Sequence, residues 1–383
     1  MSAILVLLAL LSVATLASRR GSLRTFVDTA ATPLLIAAGA LCAPGVLGVL
    51  SAKLVGELQP ALAVGVTWVA VMTGLRAGAT NGKPSRATAR ATTVVVTASV
   101  TSVVLAALCL AVPGALGWAA PVGPSVWLGA ALVVGGAMVG SPPVEANETV
   151  FRSRVVSLSE LVATLGAVAA ITVLPAWSAL SPIDVAAVVV GSGLVLGLLQ
   201  RLSGGSASAD ANARTIAMLG LVTLAAGLLH NAALPSAVTG LVAGLTLSRT
   251  SLGQALRDEL TPTELPARIV VAFLIGTLIA FDGSLVLVGV LVAVSQLAVQ
   301  LVSTSWAVGH SPSVKAVAAG LISSATPLIV SASFMLAGLP GGSALLTIAA
   351  SAVFTADCLA VMLTLVARSR TSAPGLSTQE PQT

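Results

Sequence analysis

The sequence predicts an all-α protein threaded many times through a membrane, and three observations carry that prediction. Of 383 residues, 56% are apolar and only 8% are charged, whereas a soluble domain of ordinary composition carries roughly a quarter charged residues. Mean hydropathy is +1.04, so there is too little polar surface to clothe a water-soluble globule of this length. The apolar residues also fall in runs of about 20, the length of a bilayer-spanning helix, separated by short charged breaks.

Those runs give thirteen candidate spans, at 2–17, 26–49, 59–75, 91–113, 125–146, 155–175, 183–200, 214–231, 235–248, 265–281, 284–306, 314–338 and 343–367. The first has no positive n-region. Its positive charge follows it, at Arg19, Arg20 and Arg24, the order of an uncleaved helix with its N-terminus outside. Alternating loops from there puts Arg76, Lys83, Arg86 and Arg90 in one cytoplasmic loop and Arg152 and Arg154 in the next. Arg201 and Arg214, then Arg249, Arg257 and Arg268, then Lys315, then Arg368 and Arg370 follow on the same side. That places 17 of 18 Lys and Arg inside, with Lys53 alone outside. The net charge of +5 is therefore the positive-inside bias of an N-out, C-in inner-membrane protein, and nucleic acid drops out as a partner. Trp118, Trp127 and Trp177 fall near the outer boundary and Trp306 near the inner one, as interfacial anchors; Trp68 lies deeper.

The spans make residues 1–368 one transmembrane domain and leave 369–383 as a short cytoplasmic tail, rich in Ser, Thr, Pro and Gln and expected to be disordered. No room remains for a soluble catalytic or regulatory domain. Cys42, Cys109 and Cys358 lie inside apolar runs, and His230 and His310 are the only histidines. No metal site and no cofactor is expected. Without a nucleophile–base pair or a phosphate loop, the sequence makes no case for an enzyme. His230 and Asp282 fall at span ends and read as interfacial.

Two spans are interrupted. The fifth contains Gly135-Gly136 and then Gly140-Ser141-Pro142-Pro143; the twelfth contains Ser323-Ser324-Ala325-Thr326-Pro327. Proline removes a backbone donor and displaces a carbonyl, so each break frees polar groups that protein or cavity water must satisfy. Seven spans apart, the two helices run in opposite directions. Paired interruptions of that kind, here at Ser141, Pro142, Thr326 and Pro327, point to the binding site of an inverted-repeat transporter; two independent proline kinks are the plainer alternative.

Carboxylates within spans are costly and so informative. Asp357 sits near the centre of the last span, either as an ion or proton carrier or as an acid bonded to a neighbouring helix. Glu160 lies about one and a half turns into the sixth span, near enough to the cytoplasm to be hydrated. Glu145 and Glu148 flank the end of the broken fifth span, as a cation-attracting mouth or as loop charges balanced by Arg152 and Arg154. Gln296 and Gln300, four apart on one helix face, line a polar path or tie two helices together.

Three segments carry a resemblance. Pro33–Gly48 (PLLIAAGALCAPGVLG), Leu234–Arg249 (LPSAVTGLVAGLTLSR) and Ala272–Asp282 (AFLIGTLIAFD) resemble helices of the monovalent cation/proton antiporter superfamily, whose thirteen-span, N-out layout is also similar. The resemblance implies a homodimer, a core half with crossed broken helices, and alternating access in which one carboxylate takes a monovalent cation and protons in turn. The ion-site motif departs from the family's. Where the family usually carries Thr-Asp-Pro or Ser-x-Pro, this chain reads Ser141-Pro142-Pro143. Aligning Glu160 with the family's glutamate puts Thr164-Leu165 where an Asn-Asp or Asp-Asp pair is expected; the other alignment sets Ser159-Glu160 on that pair. The family's basic residue has no counterpart near Gln296, and its arginine and glutamate are replaced around Thr326-Pro327. The expectation is a cation/proton antiporter titrating Glu160 or Asp357, with Thr164 beside it. The alternatives are the same scaffold carrying another small solute, or a non-transporting membrane partner.

Overall fold

The computed structural model describes residues 6, 12, 21–77, 86–115, 124–135, 149–174, 180–203, 211–280, 282–308 and 326–371. Every element among them is helical: α1 (Gly21–Cys42), α2 (Ala52–Ala77), α3 (Arg86–Ala115), α4 (Pro124–Ala130, passing into a π turn at Ala131–Gly135), α5 (Thr149–Val173), α6 (Pro182–Ser203), α7 (Ala211–Asn231), α8 (Ser236–Ser248), α9 (Ser251–Thr277), α10 (Gly283–Val308), α11 (Thr326–Leu336) and α12 (Gly342–Thr371). By length and composition α2, α6, α7 and α12 can each cross a bilayer, and shorter apolar helices accompany them.

Several helices carry large apolar side chains on their exposed as well as their buried faces. On α7 the buried stripe is Arg214, Met218, Val222, Ala226 and Leu229, while Ile216, Leu224 and Leu228 are exposed. A helix apolar on its outward face is built for lipid.

The short α8 is the centre of the packing, with every residue from Ser236 to Gly244 buried. It touches α2 backbone to backbone. A Cβ on Gly244 would lie 2.2 Å from the Val71 carbonyl oxygen, and one on Gly74 2.3 Å from that of Leu241. Gly240 and Gly244 thus form a small-xxx-small face, the usual solution where apolar burial gives no preference for helix over lipid. On the other side of α8, the Thr239 hydroxyl donates to the Val189 carbonyl of α6 at 3.1 Å. The crossing of α1 and α9 repeats the device, with Gly39 against Phe273 and Gly276 against Ile36.

Several helices begin earlier than hydropathy predicts, α2 and α9 by the most. The third span was expected from residue 59, but α2 starts at Ala52 because Leu54, Val55 and Leu58 continue its buried stripe. The tenth was expected over 265–281, but α9 runs from Ser251, where the Thr250 hydroxyl accepts the Gly253 N–H at 3.0 Å as an N-cap. This polar first half, with Arg257 and Asp258 exposed, is held by Leu256 and Leu260 against Trp68, Met218 and Leu247.

Two turns close in the left-handed conformation. After α11, Gly338 (φ 75) donates to Met335 and Leu339 to Phe334, a Schellman ending that glycine makes without strain. After α7 the same pattern places Ala233 at φ 54, where its Cβ is unfavourable.

Candidate functional site

The described part of the twelfth span begins at Thr326, with Pro327 next. The side chain that meets Thr326 is that of Glu160. Its Oε2 accepts a hydrogen bond from the Thr326 hydroxyl at 2.8 Å, and it is 8% exposed. This corrects the expectation of a hydrated glutamate near the cytoplasm: α5 packs against α2, α8 and α11, which cover it.

Three further charges lie within electrostatic range of this carboxylate. Arg76, in the last turn of α2, pairs with Glu264 of α9, and Arg268, one turn on from Glu264, pairs with its other oxygen at 2.7 Å. Arg268, Arg76 and Glu264 all act electrostatically on Glu160. Two arginines against two glutamates make a cluster that is neutral with all four ionised. A cleft beside Arg268, lined by Thr32, Val69, Leu328 and Ile329, has about 30 Å³ of room, enough for about one or two waters.

Reading arginines as loop charges missed this cluster. Arg76 and Arg268 lie on helices, as does Arg214, which is buried on α7 and paired with Glu259 of α9. A signal was present in Glu264 and Arg268, four apart with the acid N-terminal, the favoured order on a helix. α9 brings a glutamate and an arginine to its junction with α2.

The other candidates separate. Thr164 is buried one turn beyond Glu160, and its hydroxyl donates to the Glu160 carbonyl at 2.8 Å. Gln296 is buried; its Oε1 accepts from Ser102 of α3 at 3.3 Å and its Nε2 donates to the Gly135 carbonyl at 3.5 Å. It thereby ties α10 to the end of the π turn, the kind of irregular backbone whose carbonyl needs an outside donor. That turn touches both α5 and α11, so the two interrupted helices meet. Asp357 is buried in α12 at 4% exposure but is not among the charges acting on Glu160. Asp282 accepts from the Ser284 N–H and hydroxyl at the start of α10, a cap that holds its carboxyl below the usual range. Ser141, Pro142, Glu145, Glu148 and the side chain of Gln300 lie outside the described residues.

No protein-family model matches the chain, and no curated protein sequence matches it. Among solved structures, the sodium/proton antiporter MjNhaP1 of Methanocaldococcus jannaschii, determined at pH 8, aligns with a TM-score of 0.58 over 97% of this chain and 99% of that one, at 14% identity. The two chains share a fold. With its apolar helices, that likeness makes this a multi-pass membrane protein.

Proposed function

We propose that the protein exchanges a monovalent cation for protons across the cell membrane, with Glu160 carrying the two in turn. The observation that carries this reading is the buried Glu160 carboxylate, held by Thr326 of α11 and within electrostatic range of Arg76 and Arg268. With Glu160 ionised the four-charge cluster is neutral, and an oxygen-rich seat for a cation remains in reach of Thr326. With Glu160 protonated the cluster carries one net positive charge, which repels a cation. Proton and cation therefore exclude one another, and mutual exclusion at one carboxylate is what couples two fluxes.

The site draws on two groups of helices. Arg76, Glu264 and Arg268 belong to α2 and α9, which pack with α8 and α1; Glu160 and Thr326 belong to α5 and α11, which meet the π turn. Alternating access would slide the second group past the first and change the distance between Glu160 and the arginines. The N-out, C-in topology, the inverted repeat with crossed broken helices and a homodimer complete the reading, as does a place for Ser141, Pro142, Glu145, Glu148 and Gln300 along the path.

The test is proton/cation exchange in inside-out vesicles, followed with a pH-sensitive dye while sodium, potassium and lithium are pulsed in turn. Dequenching by at least one cation is expected in wild type and in Asp357→Asn, and none in Glu160→Gln. A response that survives in Glu160→Gln discards this carboxylate. No response from folded wild-type protein discards exchange and favours a scaffold that carries another solute or serves as an assembly partner.

A further inference from the structure

Thr73, near the end of α2, carries a hydroxyl that its surroundings leave unsatisfied. The residue is 2% exposed, and its Oγ1 has no hydrogen-bond partner among the described residues. Burying a hydroxyl without a partner is costly, and a helical threonine has a remedy in the carbonyl one turn back. Thr67 on the same helix donates to the Ala63 carbonyl at 2.7 Å, and Thr164 to that of Glu160 at 2.8 Å. Thr73 makes no such bond to Val69.

The directions of the helices fix what stands beside it. α9 runs antiparallel to α2, since Arg76 pairs with Glu264 while a Cβ on Gly65 would meet Val271. α12 runs antiparallel to α9, since Thr347 bonds the Ala280 carbonyl while Val353 lines a cleft with Ala272 and Ile275. α11 reaches α12 through the Gly338 turn, so it too is antiparallel to α2. Val69 shares that cleft with Leu328 and Ile329. Four residues on along α2 comes Thr73, and two or three back along α11 comes Thr326, so the two lie within one turn of the same level. Thr73 also shares a helix face with Val69, four residues before it, and Arg76, three after. Val69 faces α11, and Arg76 is within electrostatic range of Glu160.

We propose that Thr73 is a cation ligand, adding an oxygen from α2 to the seat formed by Glu160 of α5 and Thr326 of α11. The proposal rests on the reading of Glu160 as the exchanging carboxylate and adds which oxygens hold the ion. Thr326 gives its proton to Glu160 Oε2 and keeps lone pairs for a cation, and Thr73 has two of its own. An alkali cation gives up hydration water where protein oxygens replace it. Seated here, the ion satisfies the Thr73 oxygen and ties α2 to α5 and α11.

Exchange in inside-out vesicles gives the half-saturating concentration of sodium, lithium or potassium. Thermal unfolding of the purified full-length protein is followed in each of their chlorides against choline chloride. Thr73→Val keeps the shape and removes the hydroxyl. Its half-saturating concentration should rise about tenfold, the order expected for losing one oxygen that bonds a charged group, with maximal exchange retained. Stabilisation by the cation over choline should shrink, while melting in choline stays the same or rises, because an unsatisfied buried hydroxyl is gone. Thr73→Ser should return close to wild type. Ser331→Ala is the control: that hydroxyl is equally buried and unpartnered among the described residues, but it lies about 140° around α11 from Thr326 and its loss should change nothing. An unchanged half-saturating concentration in Thr73→Val overturns the proposal, as does an equal rise in Ser331→Ala. So does a Thr73→Val protein that melts lower in choline, since the hydroxyl would then serve the fold. If wild type exchanges and Glu160→Gln does not, the reading of the carboxylate stands even where Thr73→Val discards this ligand. A wild type with neither exchange nor stabilisation by any of the three cations overturns both.

Discussion

The seam where α2 and α6 enclose α8 and the junction where α5, α9 and α11 meet hold the molecule together by opposite means. In the seam, glycines let backbones touch, and Gly74, Gly240 and Gly244 lie so close to neighbouring carbonyls that no side chain fits. At the junction, side chains reach across gaps: Thr326 hydrogen-bonds Glu160, and Arg76 and Arg268 form ion pairs with Glu264. Close backbone packing has one arrangement and resists sliding. Charge pairs can be exchanged for others, including a proton or an ion, so the proposed exchange would place movement at the junction and rigidity in the seam.

The sharpest way to break that contrast is at Gly244. Replacing it with leucine forces the α2–α8 crossing apart and should cost about 3 kcal/mol or more, seen as loss of the monodisperse peak in fluorescence-detected size exclusion. A well-folded Gly244→Leu protein would mean the seam can give, and the division of labour would fail. At the junction, Glu264→Gln leaves Arg76 and Arg268 without their carboxylate. A fully buried pair broken this way costs about 3–5 kcal/mol; with side chains 34% and 32% exposed, these arginines recover part of that through solvent. A loss of about 1–3 kcal/mol is expected as a lower melting temperature, and restoring charge with Glu264→Asp should recover some of it.

Gln296→Leu sharpens the comparison from the other interrupted helix. It leaves the Gly135 carbonyl and the Ser102 hydroxyl without the partner they have here, and should cost about 1 kcal/mol, measurable by thermal unfolding in detergent. The smallest effect is a gain. Ala233→Gly removes an unfavourable Cβ from the α7–α8 turn, far from both regions, and should raise stability by about 0.5–1 kcal/mol with no change in cation response.

Of the fold, the helix-forming runs were legible because a bilayer imposes one length and one chemistry on every span. The glycines of the resembling segments Leu234–Arg249 and Ala272–Asp282 were legible as a pattern, and the structure supplies their reason in the crossings of α8 with α2 and of α9 with α1. At the candidate site, Glu160 and Thr326 were both visible as unusual polar groups, and the Glu160–Thr326 hydrogen bond joins residues on separate helices whose partnership no spacing expresses. Arg76 and Arg268 were read as loop charges and Glu264 carried no reading, since hydropathy marks where apolar character stops and not where a helix stops.

The sequence by itself determined that this chain is helical and membrane-embedded, because its apolar content leaves water no role as the solvent of most of its surface. Tertiary structure alone decided which charges face one another. A buried charge needs a partner within a few ångströms, and the nearest partner of Glu160 is Thr326 on α11, with Arg76 and Arg268 brought to the same junction by α2 and α9.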